Sequence, residues 1–294
     1  MSAHPATNFA HFIITQFNLR NFPRSSNAAY DDWVAWTRAR IGLFEAYCLP
    51  SVLQQRNRNF RWLLFFDQET PAEFMPFIEK WGRNELVEIC YSNGTDDFYA
   101  SYIDEIKFRM PTDCSWLITS RIDNDDCIHQ DYVDRVQQYA RFRHRYMVSL
   151  ASGYTLDLNK KRLSHYFYPS SPFISLVEST SERLMGVHCK GHSEWNQLRL
   201  WVYRELRTAL FAEKQRMTSF VLDKPLWIQV IHGKNVSNSF YRGLPVIREK
   251  TLQEFGLEMN TQAVSLKKIG KYFHYVIWKR YLKCLTVKLL VGNR

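Results

Sequence analysis

Leu117-Ile-Thr-Ser-Arg-Ile-Asp-Asn-Asp-Asp126 decides the reading of this chain, because an apolar run fit for a buried strand ends in three carboxylates and an amide. In an extended chain side chains alternate, so Asp123 and Asp125 are expected to point the same way and to share a hard divalent ion such as Mg2+ or Mn2+. Like charges held close repel, and a metal bridging them to an anionic ligand removes the penalty. A strand end, an acidic turn and a diphosphate held through a metal together describe a sugar-nucleotide site. The same residues also suit a plain turn before a helix opened at Asp131. A calcium loop of the EF-hand kind fits worse, since the sixth position from Asp123 is Ile128 where glycine is needed.

Upstream, His11 to Thr15 reads as a first strand, and Asn18 to Ala28, with Arg20 and Arg24, as a loop. Trp33 to Cys48 has helical spacing and is interrupted by Leu49-Pro50. Arg61 to Phe66 reads as a strand closed by Asp67, Pro71 to Trp81 as a helix capped by Thr70, Leu86 to Cys90 as a strand, and Phe98 to Phe108 as a helix. Strands alternating with helices imply a mixed, mostly parallel sheet with covering helices. Ligands of such sheets bind outside the carboxyl ends of the strands, where Asp67 and Asp123 both fall. Beyond residue 140, Tyr146 to Leu150, Gly153 to Leu158 and Leu163 to Phe167 read as short strands, Trp195 to Ala212 as helix, and Leu226 to Ile231 as a strand ending in His232-Gly-Lys-Asn235.

The stretch Leu49-Pro-Ser-Val-Leu-Gln-Gln through Arg61-Trp-Leu-Leu-Phe-Phe-Asp67 resembles the start of family 2 type glycosyltransferases with the GT-A fold, and Leu117 to Val133 resembles the same family's Asp-x-Asp-Asp segment. More narrowly, Phe12-Ile-Ile-Thr-Gln-Phe-Asn-Leu-Arg20, Thr119-Ser-Arg-Ile-Asp-Asn-Asp-Asp126, Ser171-Pro-Phe-Ile-Ser-Leu-Val-Glu178 and Trp227 through His232-Gly-Lys-Asn235 resemble a bacterial rhamnosyltransferase family. The resemblance implies an α/β, GT-A-like nucleotide-diphospho-sugar transferase fold with a C-terminal helical tail. It implies Asp125 and His232 as metal ligands, and a nucleotide sugar held by Arg20, Asp67, Arg121, Asp123, Asn124, Asp126 and Asn235. It also implies a deoxythymidine diphosphate rhamnose donor, although no residue reads that sugar by its chemistry. Many GT-A enzymes resemble one another in supplying a late histidine to the metal or diphosphate, the role expected of His232.

Glycosyl transfer passes through an oxocarbenium-like state while a nucleoside diphosphate departs with negative charge, which a metal stabilises. An inverting enzyme needs a proton acceptor for the acceptor hydroxyl, and Asp157, Glu178, His188, Glu194 and Asp223 are the candidates. Glu178, which closes its block, is the choice, with a surface or capping role as the alternative reading.

The 294 residues, 46% of them apolar, suit a catalytic domain over 1–260, with a nucleotide-binding half at 9–140 and an acceptor half at 141–260, plus a tail at 261–294. Neither Gly-x-Gly-x-x-Gly nor Gly-x-x-x-x-Gly-Lys-Ser/Thr occurs, which argues against Rossmann dehydrogenases and P-loop NTPases. The six cysteines form no Cys-x-x-Cys pair and suit reduced thiols in the cytoplasm. Residues 259–294 hold eight Lys or Arg and no acid, leaving 31 basic against 29 acidic residues elsewhere, so a nucleic-acid partner is not expected. Phe273, Ile277, Tyr281 and Leu285 form one helical stripe opposite Lys268, Lys279 and Lys283, suited either to an anionic membrane surface or to docking on the domain. The expected protein is therefore a cytoplasmic or membrane-peripheral enzyme that moves sugar to a glycan or lipid-linked acceptor in polysaccharide synthesis. A metal-dependent phosphoryl-transfer or hydrolytic enzyme, and a non-catalytic carbohydrate-binding protein, are the alternatives.

Overall fold

The computed structural model describes residues 8–23, 26–168, 171–189, 218–221, 224–233, 244–246 and 251–259. The expected strand 11–15 forms as β1 (Phe9–Gln16), and it is followed by α1 (Asn27–Leu43), α2 (Leu49–Leu53), β2 (Arg61–Asp67), α3 (Met75–Gly82), β3 (Val87–Ser92) and α4 (Gly94–Arg109). Next come β4 (Trp116–Arg121), β5 (Cys127–Ile128), α5 (Tyr132–Tyr139), β6 (Tyr146–Leu150), β7 (Ser152–Asp157), β8 (Arg162–Phe167), β9 (Ile174–Ser179), β10 (Thr218–Val221), β11 (Trp227–Ile231) and β12 (Leu244–Pro245).

Seven strands form one sheet in the order β10-β6-β9-β4-β1-β2-β3. Within it β9 alone runs antiparallel, against β4 on one side and β6 on the other. This is the mixed, mostly parallel sheet expected of a GT-A-like fold. It also crosses the boundary expected at residue 140, because β6, β9 and β10 complete a sheet begun by β1 to β4.

The apolar runs of β1 and β2 are buried on both faces, the usual state of a covered parallel strand. Ile13, Trp62, Leu64 and Phe66 meet Ile41, Phe44, Ile78 and Trp81 on one face. Phe12, Ile14, Leu63 and Phe65 meet Phe98, Tyr102 and Ile106 of α4 on the other. A second sheet, β12-β8-β7-β11-β5, joins the first through the short connection between β4 and β5. Gly153 in β7 lies so close to Trp227 of β11 that a Cβ there would sit 2.1 Å from the indole.

Two local expectations are corrected. Leu49-Pro50 does not interrupt the helix from α1. A π-helical stretch, Phe44–Cys48, carries it into α2, where Pro50 occupies the first turn and its missing N–H costs nothing. Thr70 does not cap α3; its hydroxyl donates to the Asp67 carbonyl, and a 3-10 turn at Ala72–Phe74 starts the helix. The helix expected at 195–212 and the tail at 261–294 lie outside the described residues. Among those described, no helix is long and apolar enough to cross a membrane.

One polar chain runs through the first sheet. His11 Nε2 lies 2.8 Å from Ser120 Oγ, which lies 2.6 Å from Ser175 Oγ, while the Gln137 amide donates to His11 Nδ1 at 3.2 Å. Burial pushes the His11 pKa down to about 3, so the ring stays neutral in the fold while its unfolded counterpart protonates below about 6.5. Its contribution to stability is complete above pH 6.5 and is lost as pH falls toward 3. We expect His11→Gln to flatten the stability profile between pH 6.5 and 5.5 by roughly 1 kcal/mol relative to wild type, as measured by urea unfolding. A parallel decline in the two proteins would rule His11 out as the cause.

Candidate active site at the carboxyl ends of the strands

β1, β2 and β4 run parallel and end at one edge of the first sheet, so their exit loops share a crevice. The loop leaving β1 stitches this edge together. Asn18 Oδ1 accepts the Asp67 backbone N–H at 3.1 Å, and the Phe17 carbonyl accepts the Asn124 side-chain amide at 2.7 Å. Two segments remote in sequence, around Asp67 and around Asp125, are thereby tied to the adjacent residues Phe17 and Asn18.

Asp67 is fully buried, with the Arg20 guanidinium Nε 2.8 Å from its Oδ1 and the Arg20 backbone N–H 3.1 Å from its Oδ2. The Glu69 N–H supplies a further hydrogen bond to Oδ1. Arg20 also reaches Asn93 Oδ1 at 3.2 Å. The expected pair of ligand contacts is thus itself a buried ion pair, with Arg20 Nε on Asp67 and Nη2 on Asn93.

The acidic segment departs from its expected geometry. β4 ends at Arg121, and Asp123 to Asp126 is a turn closed by the Asp126 N–H on the Asp123 carbonyl, so strand alternation does not apply. Asp123 keeps its side chain 40% exposed, 3.4 Å from Arg121 Nη2, whereas the Asp125 side chain is only 10% exposed. Asp125 Oδ2 takes both the Arg40 guanidinium and His232 Nε2, the latter at 3.0 Å.

Asn124 and Asp126 are corrected from ligand contacts to framework. Asn124 is buried between the Phe17 carbonyl and Arg40 Nη1, and Asp126 Oδ1 accepts the Val230 N–H at 3.0 Å, one strand residue before the turn carrying His232. Burial, then the neighbouring Asp125 and Asp123 charges, push the Asp126 pKa well up.

Arg40 is the residue that the sequence reading missed. It lies inside α1, buried, with its guanidinium carbon 4.9 Å from the Trp36 ring centroid. The signal for it was available: Trp33, Thr37, Arg40 and Ile41 are the buried residues of α1, so an arginine occupies the core-facing stripe. The π-helical stretch one turn later turns Cys48 toward the same loop, its thiol 3.6 Å from the Asp123 carbonyl.

Glu178 is corrected outright. In antiparallel β9 it pairs with Leu117, at the start of β4 and so at the edge opposite Asp123. Its side chain is fully buried, and its two oxygens accept the Met185 and Gly186 N–H groups at 2.9 and 2.8 Å. Gly186 adopts φ +67°, and a Cβ there would clash with Tyr102 and Ile103. The carboxylate clasps a turn that sends the chain back up the sheet. Two residues later His188 lies against Gln16 at the carboxyl end of β1, 3.2 Å away. Asp157 is engaged by Arg162 and the Lys160 N–H. Asn235, Glu194 and Asp223 lie outside the described residues.

Among the described residues no group of three His, Cys, Asp or Glu side chains is placed to hold a metal by itself. Mg2+ is commonly held by one or two carboxylates with substrate phosphates completing the shell. Perpendicular ligands at roughly 2.1 Å from such an ion stand about 3 Å apart, which the Asp125 to His232 distance of 3.0 Å matches. The same 3.0 Å is an ordinary hydrogen-bond distance, so the pair is compatible with an ion completed by a diphosphate and equally with a direct hydrogen bond.

A family model described as "Putative rhamnosyl transferase" matches residues 14–204. No curated protein matches the chain. Among solved structures, residues 1–349 of S. aureus TarS are similar at 11% identity and a TM-score of 0.39, over 75% of this chain and 60% of that one. Rv0371c from Mycobacterium tuberculosis H37Rv is similar at 7% identity and a TM-score of 0.29, over 78% of this chain and 91% of that one. The chain thus spans 60% of the TarS segment's length.

The Arg20–Asp67 pair gives a direct check on this geometry. Breaking a buried pair strands one charge and costs about 3–5 kcal/mol, whereas replacing both partners with apolar groups is far milder. Asp67→Ala should show that loss in urea unfolding, and Arg20→Met with Asp67→Asn, which keeps an acceptor for the backbone N–H groups of residues 20 and 69, should recover most of it. Equal losses in the single and double variants would mean that the two side chains do not pair.

Proposed function

The chain belongs to the family described as "Putative rhamnosyl transferase", and from that premise we propose that it transfers a glycosyl group from a nucleoside diphosphate sugar to an acceptor hydroxyl. The observation that carries this reading is the convergence of Asp125, His232 and Arg40 at the strand edge that also holds Arg20 and Asp67. The cationic and carboxylate groups suit a diphosphate with an attendant divalent ion, Mg2+ or Mn2+, and Asp67 and Arg20 suit the base or ribose. In the reaction the acceptor oxygen forms a bond to the anomeric carbon as the bond to the diphosphate breaks, and the hydroxyl proton passes to a base.

The ion, when bound at Asp125 and His232, would supply electrostatic stabilisation of the departing diphosphate. Arg121 and Arg40 would hold further positive charge near the same phosphates. Half-exposed Asp123 would meet the ribose or the ion. With Glu178 committed to the fold, the base is to be sought in His188, or in Glu194 and Asp223. Rhamnose as the sugar, deoxythymidine diphosphate as its carrier, a glycan or lipid-linked acceptor, and an anionic membrane surface met by the basic tail complete the proposal, with the cytoplasmic face as its setting.

Incubating the protein with a panel of nucleoside diphosphate sugars and Mn2+, with and without glycan acceptors, tests this reading. We expect acceptor-dependent transfer, reduced by about two orders of magnitude in Asp125→Asn. Acceptor-independent breakdown of the donor would instead mark a hydrolytic or phosphoryl-transfer enzyme. Binding of sugars with neither nucleotide nor metal would mark a carbohydrate-binding protein.

A further inference from the structure

The Asp125 carboxylate already has a cation. Arg40 Nη1 rests on Asp125 Oδ2, the same oxygen that His232 Nε2 approaches at 3.0 Å, and lies 3.1 Å from Asn124 Oδ1. A divalent ion on that oxygen would lie within contact range of the guanidinium, and two cations so close in a site shielded from water repel strongly. An ion on Oδ2 would compete with Arg40 for that oxygen.

The structure gives Arg40 somewhere to go. Its guanidinium is not enclosed by carboxylates alone, because on one side it lies against Trp36, a ring 37% exposed. A planar guanidinium forks onto phosphate oxygens as readily as onto a carboxylate, so a diphosphate brought in with the ion offers a replacement partner.

We propose that Arg40 and the divalent ion exchange at Asp125: the arginine is the internal counter-ion of the ligand-free site, and it passes to the donor's diphosphate when the ion takes the carboxylate. This rests on the reading of Asp125 and His232 as ion ligands. Its consequence is that ion binding is conditional on the nucleotide. The ion alone must displace a buried ion pair, whereas the ion with a nucleoside diphosphate gives each displaced charge a new partner. Arg40 is a positioning residue that couples two ligands.

The test is Mn2+ binding, read by electron paramagnetic resonance of the free ion, with and without thymidine diphosphate. Wild type should bind Mn2+ alone weakly and about tenfold more tightly with the nucleotide, a typical coupling between two sites. Arg40→Gln should bind Mn2+ alone about tenfold more tightly than wild type and lose most of the nucleotide dependence. Trp36→Ala, a substitution at the surface, loosens the hold on the guanidinium and should tighten Mn2+ binding about threefold. Asp125→Asn should remove the tight site in every background.

If wild type binds Mn2+ through Asp125 while neither Arg40→Gln nor Trp36→Ala binds it more tightly, the exchange is wrong and the ion assignment stands. If no variant binds Mn2+ even with thymidine diphosphate, the ion assignment falls and takes the exchange with it.

Discussion

Burying the acidic turn Asp123–Asp126 is the constraint around which the rest of the site is arranged. Carboxylates removed from water without partners are too costly to keep charged, and here two of the three are nearly inaccessible. Each has a different remedy. Asp125 takes Arg40 and His232, Asp126 takes a backbone N–H from β11, and Asp123 stays half in solvent beside Arg121. The remedies come from α1, from β11 and from the end of β4, so satisfying one short turn fixes the relative placement of three elements.

That dependence explains how much of the site could be read in advance. A strand that ends in carboxylates announces itself by composition, and Asp67, Asp123, Asp125 and His232 were all legible as groups at one edge. Their partners were harder to see. Arg40 lies in Thr37-Arg-Ala-Arg-Ile41, where a solvated arginine is the usual reading, and only its position on the buried stripe with Trp33 and Thr37 marks it as different. Asn124 and Asp126 look like ligand contacts in the sequence, which shows polarity but not direction; in a turn, neighbouring polar residues serve the backbone as often as they face a ligand.

The parallel strands were legible for a related reason. Continuous apolar runs such as Phe12–Ile14 and Trp62–Phe66 have few ways to be buried except between two layers of helices. The β9 segment carries a motif whose residues do not by themselves reveal a strand, and the orientation of Glu178 depends on that strand's direction. An antiparallel strand inserted among parallel ones reverses which end of its sequence reaches the functional edge. Glu178 lies near the end of β9, so it falls at the opposite edge, whereas the chain after the Gly186 turn brings His188 back to the edge of Gln16. The helix through Pro50 shows the same limit on a smaller scale, since proline is disruptive only where its N–H is wanted.

The contacts that define the site are all distant in sequence: residue 20 with 67, residue 40 with 125, and residue 125 with 232. The first sheet brings the segments of the first two pairs together, and the last pair also involves β11, which is held by β5 and β7. Local preference alone cannot place such contacts, because the loop-closure entropy must be overcome by the core first. The apolar faces on either side of β1 and β2 supply that driving force, and the crevice charges are carried into place by it. The packing thus brings the segments together, and the contacts of Asp125 with Arg40 and His232 then fix how α1 and the end of β11 sit against the acidic turn.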